Sequence, residues 1–161
     1  MADALSTLHF VASLSYGARY YRFGRGNFRL DEEQARCLCA PDLSECADFV
    51  VMGRRGADES LVGSARYCID ADGRGCEFAL VVADAWQGLG IGRALMEALL
   101  ASARRSGLEH IHGRILASNS RMIAFARQAG FQLGPSAEGA VVIEAGLALR
   151  LPVPRPCSEH M

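Results

Sequence analysis

The sequence contains no lysine: its basic side chains are all arginine, 17 of them against 18 acidic residues, for a formal net charge of −1. That balance removes the broad positive field with which nucleic-acid binders collect phosphates, so no nucleic-acid partner is expected. Arginine in place of lysine also has a bland reading, a GC-rich genome. No apolar run approaches the roughly 20 residues that span a bilayer, and no membrane partner is expected. The opening MADALSTLHF lacks the basic head and small-residue cleavage site of a secretory signal, which gives a cytoplasmic location as the expectation.

A C-x-x-C pair is also lacking. The six cysteines, Cys37, Cys39, Cys46, Cys68, Cys76 and Cys157, have no zinc-type spacing, and without a secretory signal a disulfide framework is not expected. All six read as free thiols, Cys68 and Cys76 as small hydrophobes within apolar strand patterns. Cys37-x-Cys39 with Cys46 is the one grouping with any claim on a metal, and none is assigned.

What is present is globular. Half of the 161 residues are hydrophobic, enough for one filled core and too few for two ordinary domains. One domain over 1–161 is expected, with an extended tail from about 152 where PVPRP begins. ADALSTLHFVASL carries Leu5, Leu8, Val11 and Ala12 on one helical stripe behind Asp3 as cap. YGARYYRFGRGNFRL has no steady period and reads as a loop, its Arg19, Arg22 and Arg25 interleaved with aromatics. LDEEQARCLCA has acidic residues in its first turn and reads as a short helix ending before Pro41.

DFVVMGRR (48–55) and SLVGSARYCID (60–70) form a predicted β-hairpin around GADE, and CEFALVVAD (76–84) a third strand after the DADGRG turn. Ile91, Ala94, Leu95, Ala98 and Leu99 mark the buried stripe of a helix ending near Gly107, with Arg104 and Arg105 in its last turn. LEHIHGRILAS (108–118) reads as a strand, NSRMIAFARQA (119–129) as a helix stopped by Gly130, and FQL with AVVIEAGLALRL as closing strands. The fold class is α/β: a mixed sheet with helices on its faces.

The chemistry concentrates in WQGLGIGRALM (86–96). A dinucleotide G-x-G-x-x-G fails here because Leu95 stands where the third glycine belongs, and no Gly-Lys-Ser/Thr makes a Walker loop. What remains is Gln87-Gly88-Leu89-Gly90-Ile91-Gly92, open backbone at a helix start whose first amides lack partners. Such an end favours an anion, and a pyrophosphate suits it. Glycines there cost helix propensity of about 1 kcal/mol each, a cost that a mere turn leaves unexplained.

Q-x-x-G-x-G after a strand, followed by Asn119 and, eleven and twelve residues on, by Gly130-Phe131, resembles the acyl-CoA signature of the GNAT N-acetyltransferase superfamily. LSYGARYYRF (14–23), LVGSARY (61–67), EFALVVADAWQGLGIGRALM (77–96) and ILASNSRMIAFARQAGF (115–131) are most similar to the acetyltransferase domains of bacterial Pat-type protein lysine acetyltransferases. The resemblance implies a mostly antiparallel central sheet with flanking helices, whose usual first strand is missing because this chain opens within a helix. It implies acetyl-CoA as co-substrate, without a metal, and transfer to a primary amine, either a protein lysine or a small amine. Val82 would pair its backbone with pantetheine, and Leu80 to Val82 would supply an amide for the developing oxyanion. Gln87, Gly88, Gly90, Gly92 and Arg93, with Leu89 and Ile91 between them, would surround the pyrophosphate, while Asn119 and Phe125 would flank the arm. A bare sheet edge makes a homodimer one of the open alternatives.

An amine with a pKa near 10.4 is neutral only about once in 2,500 molecules at pH 7, so a proton acceptor is worth having. Glu77 interrupts an apolar strand at the position where the Pat-type pattern places its catalytic glutamate. The tyrosine that many GNAT enzymes use as general acid is replaced here by Ala126; Tyr67 and Cys76 could substitute only if the fold brings them close. His110 and His112 share one strand face and are candidates for the acceptor channel. Two other classes stay open: an acyl-CoA-binding module without turnover, and a nucleotide binder using the same loop.

Overall fold

Three short helices precede every strand: α1 (Ala4–Ser13), α2 (Tyr16–Phe23) and α3 (Glu32–Cys39). The computed structural model describes residues 4–39 and 45–149, so the expected Asp3 cap and the tail from 152 lie outside the described residues. The inward stripe of α1 is the expected one only in part: Val11 is buried, as read, while Leu5 and Ala12 are exposed. Phe10 and Leu14 are buried and pack on Leu61 and Val81, whereas Leu5 is 61% exposed. The two bulkiest side chains near its C-terminal end, four residues apart, take the core.

The first half of the stretch read as a loop, Tyr16–Phe23, is helical, and its second half, 24–30, is irregular as read. Ser15 caps α2 by accepting from the Ala18 N–H at 3.1 Å, and Gly24 ends it at φ +77° with its N–H on the Tyr20 carbonyl. These local caps fix both ends of the helix. Asp31 and Gln34 exchange reciprocal bonds at the start of α3, the capping-box geometry that lets so short a helix hold.

The remaining elements run β1 (Cys46–Arg55), β2 (Asp58–Ile69), β3 (Gly75–Val82), a single 3₁₀ turn (Asp84–Trp86), α4 (Ile91–Arg105), β4 (His110–Leu116), α5 (Ser120–Gln128), β5 (Gln132–Ser136) and β6 (Gly139–Ala148). They form one sheet in the order β1-β2-β3-β4-β6-β5, antiparallel at every pairing except β3 with β4. This is the mixed, mostly antiparallel sheet expected, with β1 at its edge. Leu95, Met96 and Leu99 of α4 join Phe78, Ile111, Ala126 and Phe131 in the main core on one face. Helices α1 and α2 cover the other face over Leu61 and Val81. No helix among the described residues is long and apolar enough to cross a membrane.

The cysteines do not all remain thiols. Cys46 and Cys68 oppose one another in the β1–β2 register, their Cα atoms 4.1 Å apart, and form a disulfide. An argument from cell compartment cannot see a cross-strand pairing, and it is the register that overturns the expectation. It also removes Cys46 from any grouping with Cys37 and Cys39, which are free, as is Cys76.

The bridge closes a loop with a sequence separation of 22, for which chain entropy gives about 3 kcal/mol of stabilisation. The Cys46→Ser/Cys68→Ser variant is expected to lose about that much in urea unfolding without reductant. Wild type in excess dithiothreitol should fall to the same value; equal stability with and without reductant would show that the pair does not close.

Candidate active site

β3 and β4 pair only through Gly75, Cys76 and Glu77, opposite His110, Ile111 and His112. Beyond that point they part. The Ala83 N–H reaches the Val62 carbonyl and the Asp70 N–H reaches the Gly75 carbonyl, so alternation turns the odd-numbered residues of β3 toward β2. The backbone groups of Phe78, Leu80 and Val82 therefore face the gap. Phe78 marks where it begins. Its ring occupies the space a Cβ on Gly113 of β4 would need, 2.5 Å from that position, and leans on Phe131 with ring centroids 5.2 Å apart.

The gap widens into a cavity of about 550 Å³ bordered by β3, the glycine turn, α5 and α2. At its far end the Gln87 side chain donates to the Val82 carbonyl at 3.1 Å and accepts from Arg121 at 2.6 Å. One glutamine thus satisfies an open strand carbonyl and ties the turn to α5. Gly88 and Gly90 take φ of +78° and +85°, a backbone that other residues adopt only with strain. Gly90 caps α4 without a side-chain bond, so the amides of its first turn are left facing outward. At Gly92 a Cβ would meet nothing closer than 3.7 Å; neither strain nor crowding demands glycine there, while a close approach to its backbone would.

Of the residues singled out in the sequence, Leu80, Val82, Gln87, Gly88, Gly90, Gly92, Arg93, Asn119 and Phe125 all line this cavity. Leu89 and Ile91 do not: Leu89 is 68% exposed, and the Ile91 side chain packs toward Gly63. The Asn119 side chain accepts from the Met122 N–H at 3.2 Å as the cap of α5, a structural duty that an Asn before a helix announces. Arg121, which also lines the cavity and lies against Gly88 and Gln87, was not picked out. Its only signal was a position two residues after that cap.

Glu77 stands at the cavity's edge rather than on its wall. Its carboxylate accepts from the Arg114 Nε at 3.1 Å, and Arg114, which does line the cavity, also donates to Glu138 at 2.7 Å. The bond to Glu138, then the charge of Glu77, raises the Arg114 pKa above the usual arginine value. His112 and His110 do share a face, but His112 is held by both Asp70 oxygens at 3.0 and 2.9 Å, and neither histidine lines the cavity. Tyr67 is 3% exposed under α4, bonded to Ser102, and burial pushes the Cys76 thiol up to about 12. The fold brings neither of these would-be acids to the cavity.

Helix α2 forms the opposite wall. The Ser15 hydroxyl and N–H bond to Asp84 at 2.9 and 3.2 Å, pinning the start of α2 to the segment after β3. Tyr21 donates to the Ser118 carbonyl at 3.3 Å, reaching from α2 to the β4–α5 turn. Along this helix Gly17, Ala18, Tyr21 and Arg22 line the cavity.

A family model described as "Acetyltransferase (GNAT) family" matches residues 11–131. The chain belongs to the GNAT acetyltransferase family. It is 29% identical over 113 residues to Acetyltransferase PA5475 of Pseudomonas aeruginosa, covering 70% of this chain and 61% of that protein, so it spans less than two thirds of that relative's length. Among solved structures it resembles the GNAT domain of S. lividans PAT, at 26% identity and a TM-score of 0.78 over 91% of this chain and 85% of that one. It shares the fold of yncA from Salmonella typhimurium, solved with its cofactor acetyl-CoA, at 19% identity and a TM-score of 0.69 over 97% and 96% of the two chains. This GNAT chain carries the parted strands and the glycine turn within the matched residues.

Gly113→Ala would push a methyl group into the Phe78 ring, and overpacking of this kind costs about 1–3 kcal/mol. Urea unfolding should show that loss, and Phe78→Leu in the same chain should recover part of it. If the two substitutions were strictly additive, Phe78 would not be the wedge at this point.

Proposed function

We propose that this protein is an N-acetyltransferase that moves an acetyl group from acetyl-CoA to a primary amine by direct attack of the amine on the thioester. The observation that carries this reading is the meeting, in one cavity, of the open β3 edge with the uncapped start of α4. A helix start with free amides and no side chains in the way suits a pyrophosphate. Gly88, Leu89, Gly90, Ile91, Gly92 and Arg93 would hold it through backbone amides, with Arg121 adding charge beside Gly88. Leu89 and Ile91 need their side chains nowhere near it for that role.

Gln87 acts one step back, by holding the Val82 carbonyl and Arg121 in place. With that carbonyl occupied, the strand edge still offers the Val82 N–H and both backbone groups of Leu80. One N–H would bond the extended, amide-bearing arm of the cofactor, and a neighbouring one would face the thioester oxygen as negative charge gathers there. Phe125 packs beside Gly92, and Asn119, its carbonyl spent on the cap, keeps its amide N–H₂ to meet the arm.

As the amine nitrogen bonds to the acyl carbon and the carbon–sulfur bond breaks, one amine proton must leave. Glu77 is the proposed acceptor, through a water, since its carboxylate lies at the edge of the cavity against Arg114. The departing thiolate needs no protein acid at that moment, because a thiol of pKa about 8.5 is a fair leaving group. Ala126, 0% exposed in the core, supplies none. Similarity to the GNAT domain of S. lividans PAT supports a protein lysine as acceptor. The missing acid favours a second reading, an acyl-CoA-binding module without turnover; Glu77 in its expected strand position speaks for the enzyme.

Acetyl-CoA at about 100 times its Kd should stabilise the fold by about 2.7 kcal/mol, and ATP should not. Wild type should consume acetyl-CoA in the presence of a mixed panel of amines and lysine peptides. Glu77→Gln should lower kcat by about 10²- to 10⁴-fold while keeping the acetyl-CoA thermal shift. Binding without consumption by both proteins would establish the module reading, and a larger shift with ATP would overturn both.

A further inference from the structure

Three arginines gather where α2 overlies the sheet, and two of them are neutralised. Arg114 lies between Glu77 and Glu138. Arg66 is gripped by both Asp48 oxygens and donates to the Leu38 carbonyl. The third, Arg22, in the last turn of α2, lines the cavity with its guanidinium 4.7 Å from the centre of the Phe23 ring. Among the described residues it makes no hydrogen bond and no ion pair. A guanidinium carries five N–H donors in a planar fork, and this one, half-buried on the cavity wall, has no carboxylate of its own among those residues. Burial, and then the nearby charge of Arg66, pull its pKa below the ordinary arginine value, with Asp48 only partly opposing.

Its place in the cavity separates it from the cofactor end. The glycine turn and α4 lie on the side of the sheet that carries Phe78, and α2 lies on the side that carries Val81. Ala79, between Glu77 and Val81 on that same side, opposes Arg66, which in turn opposes Asp48. Arg22, close enough to feel both members of that ion pair, thus shares with Glu77 the α2 side of the sheet. The Tyr21–Ser118 bond reaches across the same side of the cavity.

We propose that Arg22 anchors a carboxylate of the acceptor, so that the preferred amine substrate carries an acidic group within reach of the nitrogen that is acylated. The inference rests on the amine-transfer reading above and names the substrate class for that site. The carboxylate has two sources, the acid group of a free amino acid or an acidic side chain beside a lysine in a peptide. Either supplies the planar, two-oxygen partner that a guanidinium fork is built to meet.

Calorimetric titration of the CoA-loaded protein with matched probes tests this whether or not turnover is seen. One arm compares Nα-acetyl-lysine with its amide; the other compares a lysine peptide with Asp beside the lysine and the same peptide with Asn there. The acid member of at least one pair should bind about tenfold more tightly or better, the arm that responds identifying the source. Arg22→Gln should bring that preference to within about twofold, and Arg22→Lys should restore part of it. In acetyl transfer the same preference should appear in KM rather than in kcat. Acid and amide probes binding within about twofold of each other in both arms, or a preference that survives Arg22→Gln, would overturn the proposal. A preference that depends on Arg22 in a protein that acetylates nothing would instead support the anchor and count against the amine-transfer reading.

Discussion

Past Glu77 the two central strands stop exchanging backbone hydrogen bonds, and the rest of the molecule is arranged around that interruption. A break in the middle of a sheet leaves amides and carbonyls without partners, each costing about 1–3 kcal/mol if buried and unmet. The structure answers some of that debt and leaves some open. Gln87 takes the Val82 carbonyl, the Phe78 ring fills the angle over Gly113, and α4 and α5 hold the strands from the core side. The Leu80 and Val82 N–H groups face the gap, where a polar, extended ligand would complete the ladder.

Charge on the α2 side follows a different logic from that of the cofactor end. Near the glycine turn, positive potential comes from backbone dipoles and from Arg121. Beneath α2 it comes from side chains set in pairs, Arg66 with Asp48 and Arg114 with two glutamates. Arg66 and Asp48 cancel, and Arg114 between two glutamates leaves a net negative charge, so Arg22 is the guanidinium under α2 that has no carboxylate of its own among the described residues. His112 is drawn into the same scheme by Asp70, which explains two histidines on one strand without giving them chemistry.

Much of this was legible in the residues. Alternating and periodic patterns located the strands and α4, glycines and an asparagine marked the ends of α4 and α5, and the family signature located the cavity wall from Leu80 to Phe125. What escaped the reading depended on contacts between distant positions. The disulfide is a matter of register between β1 and β2, and the hold on Glu77 comes from Arg114, 37 residues away. Helix α2 escaped for another reason: it is eight residues long, too short for its apolar face to repeat, and its caps mark its ends. The inward face of α1 was read correctly at Val11 and wrongly at Leu5, because stripe counting ignores side-chain bulk and Phe10 and Leu14 take the core.

The two halves of the cavity are made of different material. Where the cofactor would lie, the wall is mostly main chain, which substitution at a side chain barely alters. Where the acceptor would lie, it is the side chains of an eight-residue helix, fastened at each end by bonds from Ser15 and Tyr21. A lineage could therefore exchange the residues between those fastenings and acquire a new clientele while inheriting the donor site intact. A substitution on that helix would change the choice of partner without touching the main chain that would hold the donor.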